Sequence, residues 1–113
     1  MDKIKKYQDI IVDFLNRYNA ETGRSLDDSI KRRILVDREH NSFQLLSTGW
    51  QGNRYIFGTI FHFDIINGKI WMQCNNTEWE VVDDLMAAGV ERQDIVLGFV
   101  PPAARHFSGF AVA

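Results

Sequence analysis

Apolar residues near the start of the chain recur at the spacing of one face of an α-helix. They lie three or four positions apart, at Ile4, Tyr7, Ile10, Ile11, Phe14, Leu15 and Tyr18. Asp2 stands just before this stretch, where its carboxylate can accept a hydrogen bond from a free backbone N–H of the first turn. The pattern therefore predicts an N-terminal helix that is capped by Asp2 and packs its apolar stripe against a sheet.

After residue 29 the pattern changes to short runs of β-branched and aromatic residues that are separated by turn residues. The runs predict four strands, at Ile30–Asp37, Ser42–Trp50, Arg54–Ile66 and Lys69–Asn75. Because loops this short join antiparallel neighbours, the four strands are expected to form a meander.

The dipeptide Asn67-Gly68 readily adopts positive φ, so it predicts a two-residue hairpin between the third and fourth strands. This turn sets a register. The predicted cross-strand pairs are Ile66 with Lys69, Asp64 with Trp71, Phe63 with Met72, His62 with Gln73, and Phe61 with Cys74. The predicted core face carries Phe61, Phe63, Ile65, Ile70, Met72 and Cys74. The opposite face carries His62, Asp64, Lys69, Trp71 and Gln73, which is typical of a wet or partner-covered surface.

The last third of the chain predicts a second helix and a short extended segment. Thr77-Glu78-Trp79-Glu80 has the form of a capping box, and Gly89 is a suitable helix stop. The apolar run Ile95–Val100 predicts an extended segment, and Pro102 is expected to open a final helical turn. The sequence thus predicts a single α+β domain over residues 1–113. Its N-terminal helix precedes a four-stranded antiparallel meander, and its second helix packs on one sheet face.

Composition is that of an ordinary globular domain. Of the 113 residues, 45% are hydrophobic and 25% are charged, and 13 Lys+Arg against 15 Asp+Glu give a net charge of -2. This balance does not favour nucleic-acid binding, which depends on Lys and Arg side chains that neutralise phosphates. Two basic clusters keep direct DNA contact open as an alternative: Lys31, Arg32 and Arg33, and the N-terminal Lys3, Lys5 and Lys6.

The cellular compartment is predicted from two features. No apolar run reaches the length of a membrane span, so no membrane partner is expected. The single cysteine, Cys74, cannot form an internal disulfide. We therefore expect a cytoplasmic protein in which Cys74 is an inert packing residue.

The pair His62-x-Asp64 is the best candidate for chemistry in the sequence. A metal site needs three or four convergent ligands, and no spacing links His62 to His40 or His106. We therefore expect His62 and Asp64 to satisfy each other as a polar pair on the sheet surface, and we expect neither a metal nor a cofactor. A small metal-dependent hydrolase is the weakest alternative, because the chain lacks the convergent carboxylates and lysine that such a site needs.

Several motifs, taken in order, resemble the XisI-like family of fdxN-element excision controlling factors. They are Gly49-Trp50-x-Gly52-x-Arg54, His62-x-Asp64-Ile65-x-x-Gly68-Lys69-Ile70-Trp71-x-Gln73, Thr77-Glu78, Gly89-Val90, Asp94-Ile95-Val96-Leu97-Gly98-Phe99, Pro101-Pro102-x-x-Arg105 and Phe110-Ala111-Val112-Ala113. The resemblance extends from the N-terminal helix to the last residue. Val100 departs from it, because the family pattern is expected to carry a histidine there.

The resemblance implies an accessory role in site-specific DNA excision by a separate recombinase, without catalysis, and an XisH-like companion protein. We therefore expect a non-enzymatic binding protein. Its predicted partner surface consists of His62, Asp64, Trp71, Gln73 and Arg105. A homodimer or higher homo-oligomer is expected, because a second copy would cover the tryptophan on the open sheet. The alternatives are a DNA-binding regulator that uses Lys31, Arg32 and Arg33, and the hydrolase.

Overall fold

Two helices lie on one face of a five-stranded sheet. The computed structural model describes residues 2–23 and 28–113. Its helices and strands are α1 (Lys3–Thr22), β1 (Ile30–Asp37), β2 (Ser42–Gln51), β3 (Arg54–Ile66), β4 (Lys69–Asn75), α2 (Val81–Ala87) and β5 (Ile95–Leu97). Two 3₁₀ helices, Arg92–Asp94 and Pro102–Phe107, flank β5. The predicted α+β class, the N-terminal helix and the second helix are confirmed.

The strands lie side by side in chain order, from β1 to β5. The first four form the predicted antiparallel meander. The fifth strand lies in the segment predicted as extended, and it pairs in parallel with β4, with Ile70 opposite Ile95. The sheet therefore has five strands rather than four. Parallel pairing is possible because α2 carries the chain back between the two strands.

The N-terminal helix begins as the sequence predicts. The side chain of Asp2 accepts a hydrogen bond from the backbone N–H of Ile4 at 3.0 Å. The apolar stripe of α1 is buried against the sheet, with Tyr7, Ile11, Phe14, Leu15 and Tyr18 all in the core. Burial of this stripe supplies most of the free energy that holds α1 on the sheet.

A cluster of aromatic side chains lies within the core between the helices and the sheet. Phe61 of β3 is fully buried, and its ring centroid lies 5.2 Å from that of Phe14 and 4.8 Å from that of Tyr18. Trp79 closes the cluster, with its ring 4.8 Å from Tyr18. Edge-to-face pairs of this kind stabilise a core beyond the area that they bury.

The hairpin between β3 and β4 forms at the predicted turn. Asn67 and Gly68 have φ values of 52° and 76°. Three of the predicted cross-strand pairs are present next to the turn: Ile66 with Lys69, Asp64 with Trp71, and Phe63 with Met72. The two-residue turn therefore fixes the register over this half of the hairpin.

Beyond those pairs the predicted register is wrong by one residue. His62 faces Cys74 rather than Gln73, and Phe61 faces Asn75 rather than Cys74. The cause is a β-bulge, in which the extra residue Gln73 has no cross-strand partner. Cys74 is consequently only half-buried and lies outside the core cluster. Burial raises the pKa of its thiol, which keeps it protonated.

The predicted capping box at the start of the second helix does not form. Thr77 Oγ1 instead accepts from the backbone N–H of Trp79 at 3.1 Å and donates to Asn75 Oδ1 at 2.6 Å. The helix begins later, at Val81, with Glu80 at the N-cap position and no side-chain cap. Packing of half-buried Trp79 against the core accounts for this turn, because it fixes the chain outside the helical path.

The segment after β5 returns along the sheet and docks there. Ala111 is buried, and its backbone N–H donates to the carbonyl oxygen of Ile95 at 2.9 Å. Ala111 also forms a parallel bridge with Val96. The C-terminal segment is therefore docked on the sheet. In residues 2–23 and 28–113, no helix combines the length and apolar character needed to cross a membrane.

Candidate functional site

A polar cluster lies on the sheet face opposite α1 and α2, which is called the open face below. Asp64 is its centre: Oδ1 accepts from Ser42 Oγ at 2.6 Å and lies 3.0 Å from His62 Nε2, and Oδ2 accepts from Gln73 Nε2 at 3.2 Å. Gln44 Oε1 lies 2.9 Å from His62 Nδ1. The structure thus brings His62, Asp64 and Gln73 together as predicted.

Ser42 and Gln44 are members of the cluster that sequence reasoning missed. They lie on β2, opposite Asp64 and His62 respectively. Counting back from the turn of the β2–β3 hairpin could have indicated which β2 residues face His62 and Asp64. The count fails because the register of the hairpin shifts between Leu45 and Leu46. The cluster therefore spans three strands instead of the predicted two.

The connections within the cluster do not form a nucleophilic triad. In such a triad the hydroxyl contacts the imidazole, which a carboxylate orients from the other side. Here the Ser42 hydroxyl donates to Asp64, so the carboxylate lies between the hydroxyl and His62. In the described part of the chain, no group of three or more His, Cys, Asp and Glu side chains is placed to hold a metal ion. The polar groups of the cluster instead satisfy one another's hydrogen-bonding capacity.

The hydrogen bonds also set the charge of Asp64. Partial burial of the carboxyl opposes ionisation, but hydrogen bonds from Ser42 and His62, the charge of His62 and a hydrogen bond from Gln73 outweigh it. Together they lower the pKa of Asp64 below its ordinary value. The side chain of Asp64 is 23% exposed, so these contacts are only partly screened by solvent.

Because its pKa is lowered on folding, ionised Asp64 stabilises the protein above the unfolded pKa, near 3.8. That contribution is lost as the pH falls through the lowered folded value. We expect Asp64→Asn to reduce the free energy of unfolding by about 1–3 kcal/mol at pH 7. The difference from wild type should shrink below pH 4, as measured by urea unfolding at a series of pH values.

A suitable control for that experiment is Glu78→Gln, which changes an exposed carboxylate outside the cluster. It should leave the free energy of unfolding nearly unchanged at neutral pH. If the effect of Asp64→Asn were the same at every pH, the cluster would not be stabilised by the ionised carboxylate.

Trp71 and Arg105 meet at the border of the open face. The guanidinium of Arg105 lies 5.0 Å from the Trp71 ring centroid. Arg105 also donates to three backbone carbonyls, those of Val100 at 2.9 Å, Gly98 at 3.3 Å and Val112 at 3.4 Å. These contacts hold the C-terminal segment beside β4, so Arg105 positions that segment as well as lining the border.

The basic residues of β1 do not form one surface. Because strand side chains alternate between faces, Lys31 and Arg33 are exposed on the open face while Arg32 points toward the helices. Arg32 Nη1 donates to Thr22 Oγ1 at 2.6 Å, its guanidinium lies 5.4 Å from the Tyr18 ring, and its Nε is buried without a partner. The predicted DNA-contact cluster is thus divided between the two faces.

Two of the N-terminal lysines are engaged within the chain. Lys3 Nζ lies 2.9 Å from Asp94 Oδ2, and Lys5 Nζ lies 2.9 Å from Asp9 Oδ2. Tyr7 joins the first pair, because its hydroxyl donates to Asp94 Oδ2 at 2.6 Å. Burial and this hydrogen bond raise the pKa of Tyr7 to about 12. This second ionisable cluster therefore joins α1 to the 3₁₀ helix Arg92–Asp94 and has a structural role.

Sequence reasoning also missed a line of exposed aromatic residues, the aromatic strip, made of Trp50, Tyr55 and Phe57. Trp50 and Tyr55 face each other across β2 and β3, with ring centroids 5.1 Å apart. Phe57 is 72% exposed, two residues further along β3. Strand alternation from Gln44 places the strip on the open face. The signal was present as alternating aromatic positions on either side of the Gly52 turn.

A shallow cavity of about 320 Å³ lies beside the polar cluster. Its lining includes Leu35, Gln44 and His62, so it connects β1 to the centre of the open face. Leu35 is exposed there. The open face thus presents a polar cluster, an adjoining apolar depression and the aromatic strip on one continuous sheet surface.

The chain is similar to known proteins along its full length. The family model described as "XisI protein" matches residues 1–112. A XisI-like protein from Anabaena variabilis ATCC 29413, solved at 1.30 Å resolution, has a TM-score of 0.91 and 35% identity, covering 97% of this chain and 99% of that chain. The fdxN element excision controlling factor XisI from the same strain, solved at 2.19 Å, has a TM-score of 0.86 and 32% identity, covering 99% and 100%. No curated protein matches the chain.

Proposed function

Since the chain belongs to the XisI family, we propose that it is a non-catalytic accessory factor that acts by binding a companion protein. One similar solved protein is itself named as an excision controlling factor. On this proposal the chain has the same controlling role and binds its companion, an XisH-like protein, through the open face. Its single cysteine suits a reducing compartment, so the binding takes place in the cytoplasm.

The observation that supports this proposal most strongly is the exposure of the aromatic strip. Large apolar side chains that lie together on a protein surface mark interaction sites, and aromatic residues are enriched at the centres of such sites. Trp50, Tyr55 and Phe57 are all more than half exposed on the open face. Covering them with a partner would remove this apolar surface from water.

Charge next to the strip indicates the chemistry of the partner. Lys31 lies opposite Thr48 on β2, and Thr48 lies opposite Phe57 on β3, so the lysine is two strands away from the ring. Arg33 follows on the same face of β1. A companion segment with apolar side chains bordered by Asp and Glu would match this face. Its apolar side chains would cover the aromatic strip, and its carboxylates would pair with Lys31 and Arg33.

The polar cluster has a supporting role in this interface. His62, Asp64 and Gln73 already satisfy one another, so they can be covered without leaving a buried charge unpaired. Trp71 and Arg105 form the border of the same face through their 5.0 Å contact. We therefore retain these five residues in the proposed partner surface and place its centre at the aromatic strip.

Replacing Phe57 with alanine tests the proposal directly. If Phe57 is a central contact, the substitution should weaken binding of the purified XisH-like companion by about 30-fold, which corresponds to about 2 kcal/mol. Isothermal titration calorimetry with the full-length chain measures the change. The fold should be retained, because Phe57 makes no core contact.

The matched control is Phe107→Ala, because Phe107 is 81% exposed but lies in the C-terminal 3₁₀ helix, outside the strip. Its affinity for the companion should equal that of wild type. Equal affinities for wild type and Phe57→Ala would contradict the proposal. Binding to duplex DNA that weakens steeply with salt and is lost in Lys31→Ala/Arg33→Ala would instead support the DNA-binding alternative.

A further inference from the structure

The first strand of the sheet has a long regular outer edge. β1 pairs with β2 through all eight of its residues without a shift in register. Within residues 2–23 and 28–113, no strand pairs with its other side. The opposite end of the sheet differs, because β5 has three residues and is bridged by Ala111.

An edge of this kind invites pairing with another strand. Natural proteins commonly blunt an exposed edge with a proline, a bulge, a very short strand or charged side chains. Of these devices, β1 carries only charged side chains, at Lys31, Arg32, Arg33 and Asp37. β1 contains no proline, and its register with β2 is continuous from Ile30 to Asp37. Leu35 and Val36 are also exposed toward its C-terminal end. Among the described residues, the edge therefore has backbone groups without a strand partner, together with apolar side chains.

The charges along β1 are complementary to those of the same strand running in the opposite direction. Lys31 and Arg33 lie near one end, and Asp37 lies at the other end of the same face. Two antiparallel copies related by a two-fold axis at Ile34 would place Lys31 opposite Asp37 of the second copy. Because the contact is isologous, this ion pair would occur twice. Opposite charges at facing positions stabilise a strand pair.

The other facing positions in this register are also compatible. Leu35 would lie opposite Arg33 of the second copy, so that the aliphatic stem of the arginine covers the leucine. A register centred on Arg33 instead would place that residue opposite itself, which is destabilising. A register centred on Leu35 would pair fewer residues of the strand. The register centred on Ile34 is therefore favoured by both charge and length.

We propose that β1 is a dimerisation edge, through which two copies of this chain join their sheets into one continuous sheet. The occupant of the edge is thus a second copy. The contact uses the outer backbone edge of β1, whereas the proposed companion site is centred on the aromatic strip, and Lys31 and Arg33 border both. Joining the sheets would place the two open faces side by side. A dimer could then present two aromatic strips to one companion assembly.

Charge reversal at the facing positions provides the test. Sedimentation velocity of the full chain over a range of concentrations should show wild type at twice the monomer mass. Lys31→Asp and Asp37→Lys should each raise the dimer dissociation constant about tenfold or more, because each places like charges opposite one another. The double variant Lys31→Asp/Asp37→Lys restores opposite charges and should return the dissociation constant close to that of wild type.

The control is Arg54→Asp, which reverses an exposed charge at the tip of the β2–β3 hairpin and should leave the dimer intact. Asp37 also accepts hydrogen bonds from the backbone N–H and ring of His40. If Asp37→Lys fails to fold, Asp37→Asn keeps an acceptor for that turn and should still weaken the dimer. A monomeric wild type, dimeric single variants, or a double variant without recovery would each overturn the proposal.

These outcomes are separable from those of the companion-binding experiment. Phe57→Ala should weaken companion binding while the dimer mass is unchanged, because Phe57 lies two strands away from the outer edge of β1. Lys31→Asp alters the dimer mass directly, and this readout needs no companion.

Discussion

Replacing Phe61 with alanine is expected to lower the free energy of unfolding by about 3–5 kcal/mol. Phe61 is fully buried at the junction of the sheet with α1, and its ring contacts Phe14, Tyr18 and Phe63. The substitution removes the ring and leaves a cavity that the surrounding aromatic side chains cannot fill without leaving their edge-to-face positions. Urea unfolding followed by circular dichroism measures the change.

The matched control for Phe61→Ala is Phe57→Ala, because both residues belong to β3 and both lose the same atoms. Phe57 is exposed on the open face, so its loss should change the free energy of unfolding by less than about 0.5 kcal/mol. Similar effects of the two substitutions would contradict the assignment of the helix-covered face as the core.

The second large effect is expected at Gly49. This residue has a φ of 144°, which side chains rarely permit, and a Cβ built on it would collide with the carbonyl oxygen of Ser29. Gly49→Ala therefore strains β2 and pushes the start of β1 away from it. We expect a loss of about 2–5 kcal/mol in the free energy of unfolding, from backbone strain and steric overlap together. Thermal unfolding followed by calorimetry measures this loss.

The same hairpin provides the comparison for Gly49→Ala. A Cβ built on Gly58 would meet nothing within 4 Å. Gly58→Ala should therefore be neutral or stabilising by up to about 1 kcal/mol. If the two substitutions had equal effects, the close approach of β1 to β2 at Gly49 would not be the cause of the loss.

The N-terminal helix and the β3–β4 hairpin could be predicted because the residues that determine each of them lie close together in the sequence. The apolar stripe and Asp2 determine α1, and the Asn67-Gly68 turn determines the adjacent register. Turn residues between β-branched runs likewise located β1 and β3 at both ends. In each case a few neighbouring residues carry the whole physical cause.

Bulges explain why the polar cluster could be predicted only in part. Counting back from the hairpin turn that ends at Arg54 would pair Ser42 with Phe63, yet the structure pairs it with Asp64. The extra residue lies midway along the strands, and its position depends on packing across the sheet. No residue type marks it. Gln73 in β4 is likewise an extra residue, so the pairs beyond it differ from the predicted ones by one residue.

Competition between local and tertiary contacts explains the other differences. Thr77 and Glu80 satisfy the spacing of a capping box, but Trp79 gains more by packing against Tyr18. The parallel pairing of β5 with β4 likewise depends on contacts between residues about 25 positions apart, such as Ile70 and Ile95. Such contacts leave little trace in any short window of sequence.

The contact of Arg105 with Trp71 has a practical consequence for spectroscopy. Trp71 is half-buried beneath the guanidinium, Trp79 is half-buried against the aromatic rings of the core, and Trp50 is exposed. The three indoles therefore differ in polarity and in access to quenchers. In a variant that keeps Trp71 but lacks Trp50 and Trp79, the tryptophan fluorescence would report whether residues 98–113 are attached to the sheet. Fluorescence from that one ring would then follow the release of the segment separately from melting of the interior.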